Sequence, residues 1–127
     1  MASVDPAVSI DAILNTILPE DKDSSYVPPT QSWCMGLRCL GYLIRNSRLE
    51  ALETDMKRLG QLALKSLDAQ DPEVRKSCVT MCVEMNSKVG DPQRLFDEVL
   101  RGLASGHQNL LTYYFAKSAQ RGSSIWG

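Results

Sequence analysis

Asp71-Pro-Glu-Val-Arg75-Lys-Ser-Cys-Val-Thr80-Met-Cys-Val-Glu-Met85-Asn-Ser-Lys-Val-Gly90 is a helix with both of its ends written in. Asp71 is a good N-cap, because its carboxylate can accept from the free backbone N–H groups of the first turn. Pro72 suits the first helical position, where no N–H is needed. Glu73 sets negative charge at the positive end of the helix dipole, and Lys88 sits near the negative end. Gly90 can adopt the left-handed conformation that closes a helix. Between the caps, Val74, Cys78, Met81, Cys82, Met85 and Val89 recur at spacings of three and four and line one face. Val79 and Val83 add apolar surface on a second side. A helix that is apolar on more than one side is packed between neighbours, so this one is expected at the centre of a stack.

The same punctuation organises the rest of the chain. Asp5-Pro6 opens a first helix with the stripe Ile10, Ile13, Leu14 and Ile17, ending before Pro19. Residues 19–30 are polar and proline-bounded and form a loop. Ser24 or Ser25 in it could accept a phosphate, although serines in loops are common. A second helix runs from about Gln31 to Asn46 on Trp33, Leu37, Leu40 and Ile44, flanked by Cys39, Tyr42 and Leu43. Gly36 and Gly41 lower its helix propensity, which predicts close approach of a neighbouring backbone. A third helix, Arg48 to Leu67, carries Leu49, Leu52, Met56, Leu59, Ala63 and Leu67 on one face. Glu50, Glu53, Lys57, Arg58 and Lys65 lie on its other face. A fifth begins at Asp91-Pro92 with Leu95, Phe96, Val99, Leu100 and Leu103, and Ser105-Gly106 is expected to break it. The last, His107 to about Gln120, should turn Leu110, Leu111, Tyr114 and Phe115 inward and leave Tyr113 off the stripe. Residues 122–127 are an irregular tail. Valine and isoleucine never alternate, so no strand is expected. The result is a single all-α domain over residues 1–127, with six helices in a core from about 6 to 121, antiparallel where the links are short.

Trp33, Leu37, Leu40 and Ile44 superpose on Val74, Cys78, Met81 and Met85 at a constant offset of 41 residues. A two-helix unit recurring at ~40–47 residues is the HEAT or armadillo period. The architecture predicted is a short HEAT-like, TOG-like α-solenoid. HEAT-type repeats commonly start a helix with an acidic residue, a small interval, then Val-Arg, as Asp71 to Arg75 does. The arginine in that position is usually structural.

The chain has 127 residues, 43% of them apolar, and a net charge of −1. That length suffices for one domain with a real core. That charge gives no reason to expect nucleic acid or an acidic membrane surface as partner. No apolar run is long enough to span a bilayer. No basic stretch followed by an apolar block opens the chain, so a secretory signal is not expected and an intracellular location is. The four cysteines, Cys34, Cys39, Cys78 and Cys82, form no Cys-x-x-Cys pair. They are expected as small buried hydrophobes, without zinc or disulfide. Only Cys78 and Cys82 share a face. The one histidine, His107, stands at a helix start with no catalytic companions, and the acidic residues 20, 21 and 23 are a solvated run. No enzyme, metal site or cofactor is expected.

Asp71 to Asp91, with Leu110-Leu-Thr-Tyr-Tyr-Phe-Ala-Lys-Ser-Ala-Gln120, resembles the C-terminal domain of the CLASP family, the cytoplasmic linker-associated proteins of microtubules. In that family a final HEAT-like pair starts on Ser-Val-Arg-Lys-Ala and ends on Ile-Gly-Asp or Ile-Gly-Glu. A last helix follows, reading Leu-Leu-x-Leu-Tyr-Ile with basic residues after it. Val74-Arg75-Lys76-Ser77, Val89-Gly90-Asp91 and Leu110-Leu111-Thr112-Tyr113-Tyr114-Phe115 match that pattern. The match covers mainly residues 71–121. Tyr113 and Phe115 are larger than the family's aliphatics, and residues 19–30 have no counterpart; a divergent, fungal-type member would carry both departures.

The resemblance implies a non-enzymatic domain that recruits CLIP-type plus-end proteins, kinetochore proteins or midzone crosslinkers, in the cytoplasm, on the cytoskeleton, spindle and kinetochore. It also implies self-association. The residues point to a homodimer, since so few repeats must close their apolar ends and Tyr113 beside Tyr114 leaves an aromatic off the stripe; Tyr113, Tyr114 and Phe115 are the candidate contacts. Related TOG domains bind tubulin along the edge made by intra-repeat turns. Here those turns fall near Arg45, Asn46, Ser47 and Arg48 and near Lys88, Gly90, Gln93 and Arg94, and Arg45, Arg48, Lys88 and Arg94 are the candidate contacts. Basic residues there equally suit plain capping of helix C-termini. A purely structural oligomerisation module is the remaining alternative.

Overall fold

The computed structural model describes residues 6–18 and 27–121, with the side chains of 6–8 and 119–121 left aside. The described residues are helical wherever they are regular, and no strand occurs among them. The helices are α1 (Pro6–Ile17), α2 (Thr30–Arg45), α3 (Leu49–Leu67), α4 (Pro72–Val89), α5 and α6 (Ser105–Arg121). Here α5 is the single turn Pro92–Arg94 together with the π-helical turn Leu95–Val99 that continues it. The expected phosphate acceptors Ser24 and Ser25, the cap Asp5 and the tail 122–127 lie outside the described residues.

α4 is the centre, as its sequence requires. Asp71 Oδ1 accepts from the Glu73 N–H at 2.8 Å, and Gly90 closes the helix at φ 81°. Asp91 caps α5 in the same way through the Gln93 N–H at 3.1 Å. Around α4 the helices form two layers. α2, α4 and α6 stack side by side in one, and α1, α3 and α5 form the other. α2 and α4 make the most extensive contact in the molecule and run parallel. Arg38 pairs with Glu73 at 3.7 Å, and Gly41 lies against the Met81 backbone. The repeat in the sequence thus appears as two parallel neighbouring helices, with Gly41 opposite Met81, 40 residues further on. All eight residues of the two superposed stripes are buried.

The arginine of the repeat start is structural. Arg75 Nη1 donates to the carbonyls of Ala69 and Gln70 at 2.6 and 2.8 Å. Those carbonyls lie in the short turn between α3 and α4, and one guanidinium bonds both. Trp33 Nε1 donates to Ser66 Oγ at 2.8 Å and ties the start of α2 to the end of α3. Arg58 clamps α1 to α3, donating to Asp11 at 2.7 Å and to Asn15 at 2.6 Å.

Three expectations need correction. The break before the last helix is not at Ser105-Gly106, which are its first residues; it falls at 100–104, where Gly102 takes φ 86°. The π turn causes this. Leu100 N–H reaches back five residues to Leu95 at 2.9 Å, so α5 ends early. Cys39 is exposed, unlike Cys34, Cys78 and Cys82, because its side of α2 faces away from both α1 and α4. Leu110 and Tyr114 do not turn inward: they are 39% and 37% exposed, while Leu111 and Phe115 are buried. Among the described side chains of α6, Leu111 and Phe115 are the buried ones, and Phe115 stacks on Phe96 at 5.9 Å between centroids.

The backbone approach expected at both glycines of α2 occurs at one of them. Gly41 faces the Met81 backbone, whereas Gly36 receives the side chains of Ile13 and Ile17. Leu62, which the stripe on α3 did not include, is fully buried.

Candidate interaction surfaces

Three surfaces of this stack are candidates for function. The first is the turn edge. Arg45 ends α2, Arg48 precedes α3, Lys88 lies in the last turn of α4 and Arg94 in α5. Since α2 and α4 run parallel, their C-terminal ends share one end of the stack. Arg45 and Lys88 both act on Glu84, a carboxylate 6% exposed. Burial raises its pKa above the ordinary value, and the two cations oppose that rise. Arg94 is bound to Glu98 at 2.6 Å. Arg48 is exposed. The edge is therefore basic, with part of its charge engaged inside the protein.

The second surface is a groove of about 580 Å³ between α3 and α5. Leu49, Met56, Leu64, Val89 and Val99 form its floor, all half-buried. Glu53, Lys57, Arg94, Glu98 and Arg101 stand along it. Sequence reasoning missed it. Its cause is the difference in length between α3 and α5, and the early end of α5 at the π turn carries no pattern in the sequence.

The third is the outer face of α6. Leu110, Tyr113, Tyr114 and Lys117 follow one another at helical spacing and are exposed. Tyr113 and Tyr114 meet edge to face at 5.2 Å, and Lys117 Nζ lies 5.8 Å from the Tyr113 ring centre. Of the three aromatics expected to mediate self-association, the fold brings Tyr113 and Tyr114 together outside and places Phe115 inside.

His107 is half-buried at the start of α6. Cys78 Sγ lies 3.9 Å from Cys82 Sγ and donates to the Ala63 carbonyl at 3.4 Å. Burial first, and Cys82 second, push the Cys78 thiol up, which makes it a poor nucleophile. Among the described residues, no group of three or more His, Cys, Asp or Glu could hold a metal ion. No helix among them is long and apolar enough to cross a membrane.

The chain is 34% identical over 122 residues to protein stu1 of Aspergillus fumigatus, covering 92% of this chain and 9% of the relative. It is 33% identical over 103 residues to protein stu-1 of Neurospora crassa, covering 76% of this chain and 9% of that protein. Protein STU1 of Phaeosphaeria nodorum is 35% identical over 96 residues, covering 69% of this chain and 8% of its own length. The chain thus spans about a tenth of the length of these curated relatives. No protein-family model and no solved structure matches it significantly.

Proposed function

This chain belongs to the CLASP family, whose fungal Stu1 members it resembles, and from that premise we propose that it is a non-enzymatic dimerisation and partner-recruiting domain of a microtubule-associated protein. Its place in the parent protein is the C-terminal region. Its partners are plus-end proteins of the CLIP type, kinetochore proteins or midzone crosslinkers, and it works in the cytoplasm on the cytoskeleton, spindle and kinetochore.

The observation that carries this reading is the outer face of α6. A stack of so few helices must close its apolar ends. α1 covers one end with Ile10, Leu14 and Ile17. At the other, α6 keeps Leu110, Tyr113 and Tyr114 in water. Tyrosine is enriched at protein interfaces, where its ring is buried and its hydroxyl stays hydrogen-bonded. An apolar ridge on one helix pairs most simply with its own copy about a two-fold axis. Light scattering at high micromolar concentration should therefore give twice the chain mass. Tyr113→Glu should halve it with the circular dichroism spectrum unchanged, since it buries an unpaired charge in the contact. A wild-type monomer under those conditions overturns dimerisation.

A second reading, tubulin binding, is favoured by the basic turn edge. Against it, a net charge of −1 gives no long-range attraction to acidic tubulin. Co-sedimentation with microtubules at physiological salt that is lost in the Arg48→Glu, Lys88→Glu double variant would favour it over recruitment.

A further inference from the structure

In a regular solenoid the second helix of each repeat covers the flank of the one before it. Here α3 has 19 residues and the two pieces of α5 have 3 and 5. α3 therefore keeps an uncovered flank. Its groove-lining residues run from Leu49 to Leu64, about 22 Å of helix or four turns. The aliphatic side chains of this floor are held between core and water, which is the form of a track that receives the apolar face of another helix.

The charges beside the track say what kind of helix fits. Arg94 and Glu98 neutralise each other at 2.6 Å. Lys57 and Arg101 are exposed, and among the described residues neither has an ion pair or a hydrogen bond. Among the described residues Glu53 is the only other charge lining the groove, so their unpaired balance is two cations to one anion. This balance disfavours the α6 ridge of a second copy, because α6 contains no acidic residue and presents Lys117.

We propose that the groove between α3 and α5 is a docking site for an acidic amphipathic helix of a partner protein, with its apolar face on Leu49, Met56 and Leu64 and its carboxylates on Lys57 and Arg101. The proposal rests on the recruitment reading and is independent of dimerisation through α6. It names the surface that the recruited partner occupies. Charges at such a rim choose the partner, while the apolar floor supplies most of the affinity.

The test pans a random 16-residue peptide display library against the intact chain. The enriched peptides should carry net negative charge and apolar residues at three- and four-residue spacing. Synthetic copies should bind about tenfold more weakly to the Lys57→Glu, Arg101→Glu double variant, whose thermal unfolding should match the wild type. They should also bind more weakly to Met56→Gln. Absence of enrichment, enrichment of cationic peptides, or binding that the double variant leaves intact overturns the proposal. So does a dimer mass that the double variant abolishes, which gives the groove to a second copy. Each of these outcomes is independent of the mass of the Tyr113→Glu variant, so this proposal and dimerisation through α6 fail separately.

Discussion

Glu84 sits on α4 with 6% of its surface exposed, beside the close approach of Gly41 to Met81. Burial holds its pKa above the ordinary 4.5, against the pull of Arg45 and Lys88. The folded protein therefore keeps this proton to higher pH than the unfolded chain does. Its contribution to stability is complete below about pH 4.5 and is lost as pH rises through the raised value. Glu84→Gln removes that titration. Thermal denaturation should show the variant gaining on the wild type between about pH 4.5 and neutrality; a difference that is flat or reversed across that range refutes it. Asp55, 7% exposed, is raised for the same first cause, with Arg58 opposing and Asp11 assisting. Neither carboxylate is distinguishable in the sequence from the solvated acids around it. Arg75 is different, because the Val-Arg step after an Asp-Pro cap marks it as structural before its two carbonyl partners are known.

At the scale of the element, α5 is the part least legible in advance. Leu95, Phe96, Val99, Leu100 and Leu103 have a helical pattern, and the fold buries or half-buries all five. It does so with a π turn and a left-handed Gly102 instead of a continued α-helix. Gly60 on α3 is where this turn fits, since a β-carbon there would run into the Val99 carbonyl. Alanine in a helix interior is favoured over glycine by about 0.8–1.0 kcal/mol, but forcing α5 away costs about 1–3 kcal/mol. Gly60→Ala should therefore lower stability on balance in urea titration. Gly106→Ala, with open space around it, should not. Equal effects at the two positions would show that α5 yields freely to α3.

The whole molecule is held by the α2–α4 register. Leu37 and Met81 are fully buried in it, and each belongs to the stripe that the repeat superposes. Leu37→Ala should cost ~2–5 kcal/mol and keep a single cooperative unfolding transition. A cost near zero would remove α2 from the core, and two transitions would mean the layers unfold separately. At the same scale, the two ends of the stack behave differently. α1 closes one with buried isoleucines and leucine and the Arg58 clamp, whereas α6 and the short α5 leave apolar surface unpaired at the other.

What the sequence determined by itself is what local chemistry can write. That covers the caps at Asp71, Gly90 and Asp91, the helical period of each stripe, the repeat offset of 41 and the resemblance carried by residues 71–121. Each of these depends on a residue and its neighbours within a turn or two, or on the recurrence of such a unit. The tertiary structure alone decided which flank of a stripe finds a partner. Leu110, Tyr114 and Cys39 stand on apolar patterns yet remain exposed, because burial requires a second surface and none among the described residues arrives there. The groove beside α3 exists for the same reason. It is the space left by an α5 too short to cover α3, a property of two elements together that neither carries alone.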